Sequence, residues 1–199
     1  MRVFGLTGGI ATGKSTAVKY FKQLDPEVVV FDADACVKEL YERREVIEAI
    51  SALAGGECVG GDGRLDRDVL RGRLFAESGL REQIQSIVHP LVRKECLASL
   101  ERSAMSVGTS SFIADVPLLF EGGFDFGQDA NLVVAVRRET QVQRLIMRNG
   151  FDDVTVQAIL EAQLPISEKQ KCADVVFWNE GSEVVLRSQI QRFIENKYR

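Results

Sequence analysis

Gly8-Gly9-Ile10-Ala11-Thr12-Gly13-Lys14-Ser15 fits the pattern G-x-x-x-x-G-K-[ST], and its reading decides the fold. The glycines allow backbone conformations closed to other residues, so successive N–H groups can turn inward on a phosphate. A helix that starts at Lys14 or Ser15 would bring its positive dipole end to the same point. Lys14 has the reach and charge for β- and γ-phosphates, and the Ser15 hydroxyl suits Mg²⁺. The pattern alone also occurs by chance in glycine-rich turns, so its surroundings must carry the argument.

The surroundings agree. Arg2–Leu6 is a short apolar run that reads as a buried strand. Ser15–Leu24 places Val18, Phe21 and Leu24 at helical spacing, and Val28–Phe31 is a second apolar run. Strand, glycine loop, helix and strand form a βαβ unit, which requires a parallel sheet. From Ala33 to about Met105 there is no long β-branched run. Val37, Leu40, Tyr41, Val46, Ile47 and Ile50 suit one amphipathic helix, and Val69, Leu70 and Leu74 another, with Gly55-Gly56 and Gly60–Gly63 as breaks. Ile84–Leu100 reads as a helical pair broken near His89-Pro90. Strand signals return at Phe112–Pro117, Asn131–Val136 and Asp174–Trp178, with helices over Glu139–Asn149, Asp153–Leu164 and Ser182–Asn196. The expected fold class is α/β: a P-loop NTPase parallel sheet flanked by helices, with a helical insertion and a lid. The expected division is a core of 1–32 and 110–199, a helical subdomain of about 33–106, and a lid of about 138–165.

Composition excludes several classes. The 199 residues suit one domain with an insertion. A net charge of −4 argues against nucleic acid or an acidic membrane as partner. No run approaches the ~20 apolar residues of a membrane helix, and no secretory signal is visible at MRVFGLTGGI. The four cysteines, Cys36, Cys58, Cys96 and Cys172, match no metal framework and read as free thiols. A cytoplasmic location follows as the expectation. Nothing in the sequence sets an oligomeric state.

Other residues must choose among P-loop functions. Asp32 and Asp34 follow the second strand, at the ligand-binding edge of such a sheet. Were the strand to continue through them, alternation would point both the same way. A carboxylate there takes a proton from a hydroxyl or holds magnesium, but Asp is also a favoured helix cap. Asp115 ends the third strand and reads either as a Walker-B carboxylate or as a cap before Pro117. Arg144 and Arg148 share a helix face near Arg137 and Arg138. They are either phosphate-closing arginines beside a mobile Asn149-Gly150 break or an exposed basic face. His89, the single histidine, is weak evidence alone. A guanine-specific switch is disfavoured because no Asn-Lys-x-Asp string is present. An ATP site, an acceptor domain and a lid together point to a small-molecule kinase. A slow ATP-hydrolysing regulatory protein is the rival from another class.

The chain resembles the dephospho-CoA kinase family over essentially its whole length. LTGGIATGKST (Leu6–Thr16), FDAD (Phe31–Asp34), VHPLV (Val88–Val92), DVPLLFE (Asp115–Glu121), ETQVQRLIMRNG (Glu139–Gly150) and ADVVFWNEGS (Ala173–Ser182) carry the resemblance in order. The resemblance implies ATP and Mg²⁺ as cofactors and transfer of the γ-phosphoryl to the ribose 3′-hydroxyl of dephospho-CoA. It implies that Gly8, Gly9, Ala11, Thr12, Gly13, Lys14, Ser15 and Thr16 bind the nucleotide, with Asn179 and Gly181 near adenine. Asp34 would be the base, Lys14 would stabilise the transferring group, and Arg144 would close on the phosphates. Asp34, His89, Leu118, Leu119 and Glu121 would line the acceptor pocket, and Ser15 and Asp115 would serve the metal. Two departures stand out: Phe177-Trp178 replaces smaller residues before Asn179, and Leu164-Pro165 breaks the helix ahead of Lys169, which counts against a phosphate role for Lys169 or Lys171.

Overall fold

The structure, a computed structural model, describes residues 1–77 and 79–197. The chain divides into two compact units, one of residues 1–32 and 99–199 and one of residues 33–98.

The first unit is built on a five-stranded sheet in the order β2-β3-β1-β4-β5. Its strands are β1 (Arg2–Gly8), β2 (Val28–Asp32), β3 (Ser111–Asp115), β4 (Ala130–Ala135) and β5 (Val175–Trp178), and every pairing is parallel. Parallel strands covered on both faces must be apolar throughout. Accordingly β3 is buried at every residue and β1 from Phe4 onward. Register places Leu6 beside Asp115 on one side and Leu132 on the other, and sets Asp32 beside Asp115. Gly8, Asp32 and Asp115 are therefore the last residues of three neighbouring strands, at one edge of the sheet.

α1 (Lys14–Leu24) and α9 (Glu183–Lys197) pack together on one face. Phe4, Leu6, Phe21, Leu132, Val134, Phe177, Leu186 and Ile190 form the core there. Phe21, Phe177 and Phe193 meet edge to face in pairs, with ring centroids 5.6–6.1 Å apart, a preferred aromatic geometry. Phe177, the bulky departure noted in the sequence, thus points into the core, while Trp178 stays 39% exposed. The edge strand β5 is closed off by Gln189, whose amide accepts from the Trp178 N–H and donates to its carbonyl, both at 2.9 Å. α6 (Arg138–Asn149), α7 (Asp153–Glu161) and α8 (Ile166–Lys171) fill the stretch between β4 and β5. Gly150 ends α6 at φ 65°, a left-handed cap that glycine adopts without strain. Leu164-Pro165 separates α7 from α8, as the proline requires.

The second unit holds α2 (Ala33–Leu40), α3 (Arg44–Ala54), α4 (Arg67–Ala76) and most of α5 (Leu80–Met105). Three expectations are corrected. The residues from Val37 to Ile50 form two helices, because turns at Tyr41–Arg43 interrupt them and Arg43 is the extended N-cap of α3. α5 runs unbroken through Pro90. Ile84, Val88, Val92 and Cys96 recur every four residues and are all buried, so one continuous apolar stripe straddles the proline. That burial outweighs the ~3 kcal/mol cost of an internal proline. Last, β2 stops at Asp32 and the chain turns helical at Ala33. Asp32 and Asp34 therefore do not share a strand face. Asp34 lies in the first turn of α2, where its charge complements the helix dipole.

Phe21 is 1% exposed between the sheet and α9. Phe21→Ala is expected to lower the unfolding free energy by about 3–5 kcal/mol, and Phe21→Leu by less than half as much, measured by urea denaturation.

Candidate functional site

The site begins with the loop between β1 and α1. Its glycines are required sterically. A Cβ at Gly8 would lie 2.7 Å from both the Thr12 hydroxyl and the Val134 carbonyl oxygen. Gly13 has φ 90°, and a Cβ there would strike the Asn179 amide. Ala11 also sits at φ 60°, a conformation rare for a residue with a side chain.

The loop's carbonyls are held by side chains, all but one of them from outside the loop. Lys169 Nζ lies 3.5 Å from the Gly8 oxygen. Thr12 Oγ1 donates to Gly9 at 2.8 Å, Gln141 Nε2 to Ile10 at 2.7 Å, Arg144 Nη1 to Ala11 at 3.1 Å, and Asn179 Nδ2 to Thr12 at 2.9 Å. Every carbonyl from Gly8 to Thr12 thus accepts a side-chain donor, and the Gly13 carbonyl accepts from the Ala17 N–H. With the carbonyls so held, the loop N–H groups other than those of Ile10 and Thr12, which bond Gln163 and Gly9, are left for an anion. The start of α1 adds N–H groups that lack helical partners, and no side chain caps it.

Lys14 emerges from this loop and its ammonium is ion-paired with the Asp115 carboxylate at the end of β3. The two side chains are 18% and 10% exposed. Beyond Asp115 the chain is fixed at once: the Val116 N–H donates to Leu6, and the Pro117 carbonyl accepts from Thr7 Oγ1 and Lys169 Nζ, all at 2.9 Å. Glu121 is paired with Lys169 at 2.8 Å and accepts the Leu164 N–H at 2.9 Å. Leu119 is 2% exposed and packs over Gly5, and Leu118 is half-buried.

Arg144 is anchored twice, to Ala11 and to the Asn179 carbonyl at 2.9 Å, so its guanidinium plane is fixed beside the loop. Asn179, expected near adenine, spends its amide on the loop. Glu180 accepts from Thr140 Oγ1 and from the Arg137 N–H, and the latter holds its carboxyl below the ordinary carboxylate range. Gly181 follows in the same stretch, ahead of α9. In the helical unit, Asp34 lies on α2 and His89 on α5, where partial burial lowers the imidazole pKa and favours its neutral form.

The structure therefore brings together Gly8–Ser15, Asp115, Arg144 and Asn179 in one unit. Gln141 and Gln163 are absent from the sequence reading, and Lys169 enters it only as a residue whose phosphate role the Leu164-Pro165 break counts against. Gln163 Oε1 accepts the Ile10 N–H at 3.0 Å. Gln141 carried a detectable signal, since it lies four residues before the buried Leu145 and so on the inward face of α6. Gln163 and Lys169 carry no local signal, because their backbone partners Ile10, Gly8 and Pro117 lie 52 to 161 residues away in sequence. Among the described residues no group of three His, Cys, Asp or Glu side chains could cage a metal alone.

The family model for dephospho-CoA kinase (CoaE) matches residues 2–184. A dephospho-CoA kinase of Bacillus cereus is 38% identical over 195 residues, covering 98% of this chain and 96% of that one. That of Methylococcus capsulatus is 38% identical over 191 residues, covering 96% and 93%. Among solved structures, TT1252 from Thermus thermophilus superposes with a TM-score of 0.80 at 31% identity, covering 98% of this chain and 97% of its own. A shikimate kinase from Bacteroides thetaiotaomicron, at TM-score 0.54 and 15% identity over 100% and 99% of the chains, shares the fold.

The clasp on the loop makes a direct prediction. Asn179→Ala leaves the Thr12 carbonyl without its donor and is expected to cost about 1–3 kcal/mol of stability. Asn179→Asp sets a carboxylate against that carbonyl and should weaken triphosphate binding further than Asn179→Ala. Thermal unfolding with and without nucleotide measures both.

Proposed function

The chain belongs to the dephospho-CoA kinase family, and from that premise we propose how its residues divide the work. The protein is a phosphotransferase that uses ATP to phosphorylate the ribose 3′-hydroxyl of dephospho-CoA, giving coenzyme A and ADP, the last step of coenzyme A synthesis. One observation carries the reading at the atomic level: a phosphate loop with every carbonyl tied back, meeting a lysine–aspartate pair at the strand ends.

In this reading the N–H groups of the loop bind the β- and γ-phosphates, and Lys14 leaves Asp115 for the γ-phosphoryl as its charge develops. Arg144, fixed beside the loop, adds positive charge on the nucleotide side. Asn179 and Gly181 border the adenine. The donor set suits magnesium: one hydroxyl, Ser15, and one strand-end carboxylate, Asp115, with Asp32 beside it in register. Mg²⁺ takes one or two carboxylates plus phosphate oxygens rather than a protein cage. When bound, the ion would neutralise phosphate charge. The acceptor oxygen attacks the γ-phosphorus in line, its proton passes to Asp34, and the bond to the β–γ bridging oxygen breaks to release ADP.

Leu118, Leu119, Glu121 and His89 are assigned to the acceptor side by their motifs. The buried Leu119 and the doubly held Glu121 support a role in shaping that wall rather than in direct polar contact. His89, neutral at pH 7, can accept or donate one hydrogen bond. A cytoplasmic site of action is supported by the buried free thiols of Cys58 and Cys96, and no described helix is long and apolar enough to cross a membrane. The acidic net charge supports a small-molecule rather than a nucleic-acid partner.

Asp34→Asn is expected to cut turnover of dephospho-CoA by about 10²-fold or more, with ATP affinity retained. Mass detection of product with Mg-ATP and a panel of hydroxyl acceptors checks both substrate and base. Phosphorylation of a nucleotide instead of dephospho-CoA would overturn the acceptor assignment, and normal turnover in the variant would remove Asp34 from the base role.

A further inference from the structure

Lys169 is the largest charged side chain buried in the protein's described residues, with 0% exposure. Taking an ammonium out of water carries a large desolvation penalty unless each proton finds an acceptor. All three do: the Pro117 carbonyl at 2.9 Å, a Glu121 carboxylate oxygen at 2.8 Å and the Gly8 carbonyl at 3.5 Å. These acceptors are not arbitrary. Gly8 opens the phosphate loop that delivers Lys14. Pro117 stands two residues beyond Asp115, the partner of Lys14. Glu121 is itself held by the Leu164 N–H, and the adjacent Gln163 binds the Ile10 N–H. One buried cation thus joins the two chain segments that converge on the Lys14–Asp115 pair.

We propose that Lys169 is a positioning residue for phosphoryl transfer: by bridging the backbone at Gly8 and Pro117, it sets where Lys14 and Asp115 stand relative to each other. This rests on the reading of Lys14 and Asp115 as the phosphate- and metal-facing groups. Small displacements of such groups are costly for the chemical step, and a shift near 1 Å can lose on the order of 10² in rate. The role needs a donor that bonds both carbonyls at once. An apolar side chain of similar length would fill the space, remove the bridge, and leave Pro117 held by Thr7 alone.

That contrast separates positioning from stability. A buried ion pair can often be exchanged for neutral residues of like volume with little loss of stability, whereas removing one partner strands a charge. Lys169→Met alone should therefore be destabilised. The double variant Lys169→Met with Glu121→Gln removes both charges and keeps an acceptor for the Leu164 N–H. It is expected to unfold at a higher urea midpoint than Lys169→Met alone, short of wild type only by the loss of the Lys169 donor to the two carbonyls. Its kcat with dephospho-CoA should nonetheless fall by about tenfold or more, with the Kd for ATP within about threefold of wild type, the signature of an interaction lost in the transition state. Asp115→Asn is assayed beside it. A stable double variant with wild-type kcat, while Asp115→Asn is impaired, overturns the role of Lys169 and leaves the site reading intact. Full turnover in Asp115→Asn overturns the reading of that pair, and with it the place where the Lys169 tether would act. A rise in the Kd for ATP matching the fall in kcat/KM would make Lys169 a binding-loop support and also overturn the proposal.

Discussion

A loop that turns its N–H groups toward an anion must turn its carbonyls away, and buried carbonyls need donors. The whole first unit is arranged around that requirement. Five consecutive carbonyls, Gly8 to Thr12, are met by donors from α6, α8, the loop after β5 and the phosphate loop itself. Neither β1 nor α1 could supply them, since their own groups are committed to the sheet and the helix. The loop conformation is therefore a tertiary property, although its motif is local. Left-handed Ala11 and Gly13 hold their places because the surrounding side chains over-determine them.

This division explains what was legible in the sequence. The phosphate loop could be read because glycine positions, the lysine and the flanking apolar runs all lie within a few residues. The parallel strands could be read because they are continuous apolar runs, buried through the centre of the sheet as in Leu132–Val136 and partly covered at its edge as in Val28–Phe31. α5 was misread because Pro90 signals a break locally, and only packing of Ile84, Val88, Val92 and Cys96 decides otherwise. The Val37–Ile50 stretch was misread for the opposite reason: its apolar spacing suits one helix, and turns at Tyr41–Arg43 divide it.

Side-chain roles were legible only where chemistry and position coincided. Arg144 was found as a candidate from its charge, but its bonds to Ala11 and Asn179 have no local sequence signal. Lys169 shows the limit most clearly. On sequence grounds the Leu164-Pro165 break counts against a phosphate role for Lys169, and nothing local gives it another. Fold topology instead buries it beneath Gly8 and Pro117.

The same bonds constrain how α6 and α7 can move. Gln141 and Arg144 lie one turn apart on α6 and grip Ile10 and Ala11. Below them Leu145, Val156 and Leu160 form a small buried cluster against which Ile10 and Ala11 pack. Swinging α6 and α7 as one rigid body would strip donors from two buried carbonyls, at about 1–3 kcal/mol each, and expose that cluster. Differential nucleotide contacts would have to exceed this sum to drive such a motion. Movement confined to the tip, where Met147 and Val154 are exposed on either side of the Gly150 cap, breaks none of these bonds. The residues that grip the phosphate loop and the exposed tip are thus different parts of one helical pair, so displacing the tip would leave the loop's bonds in place.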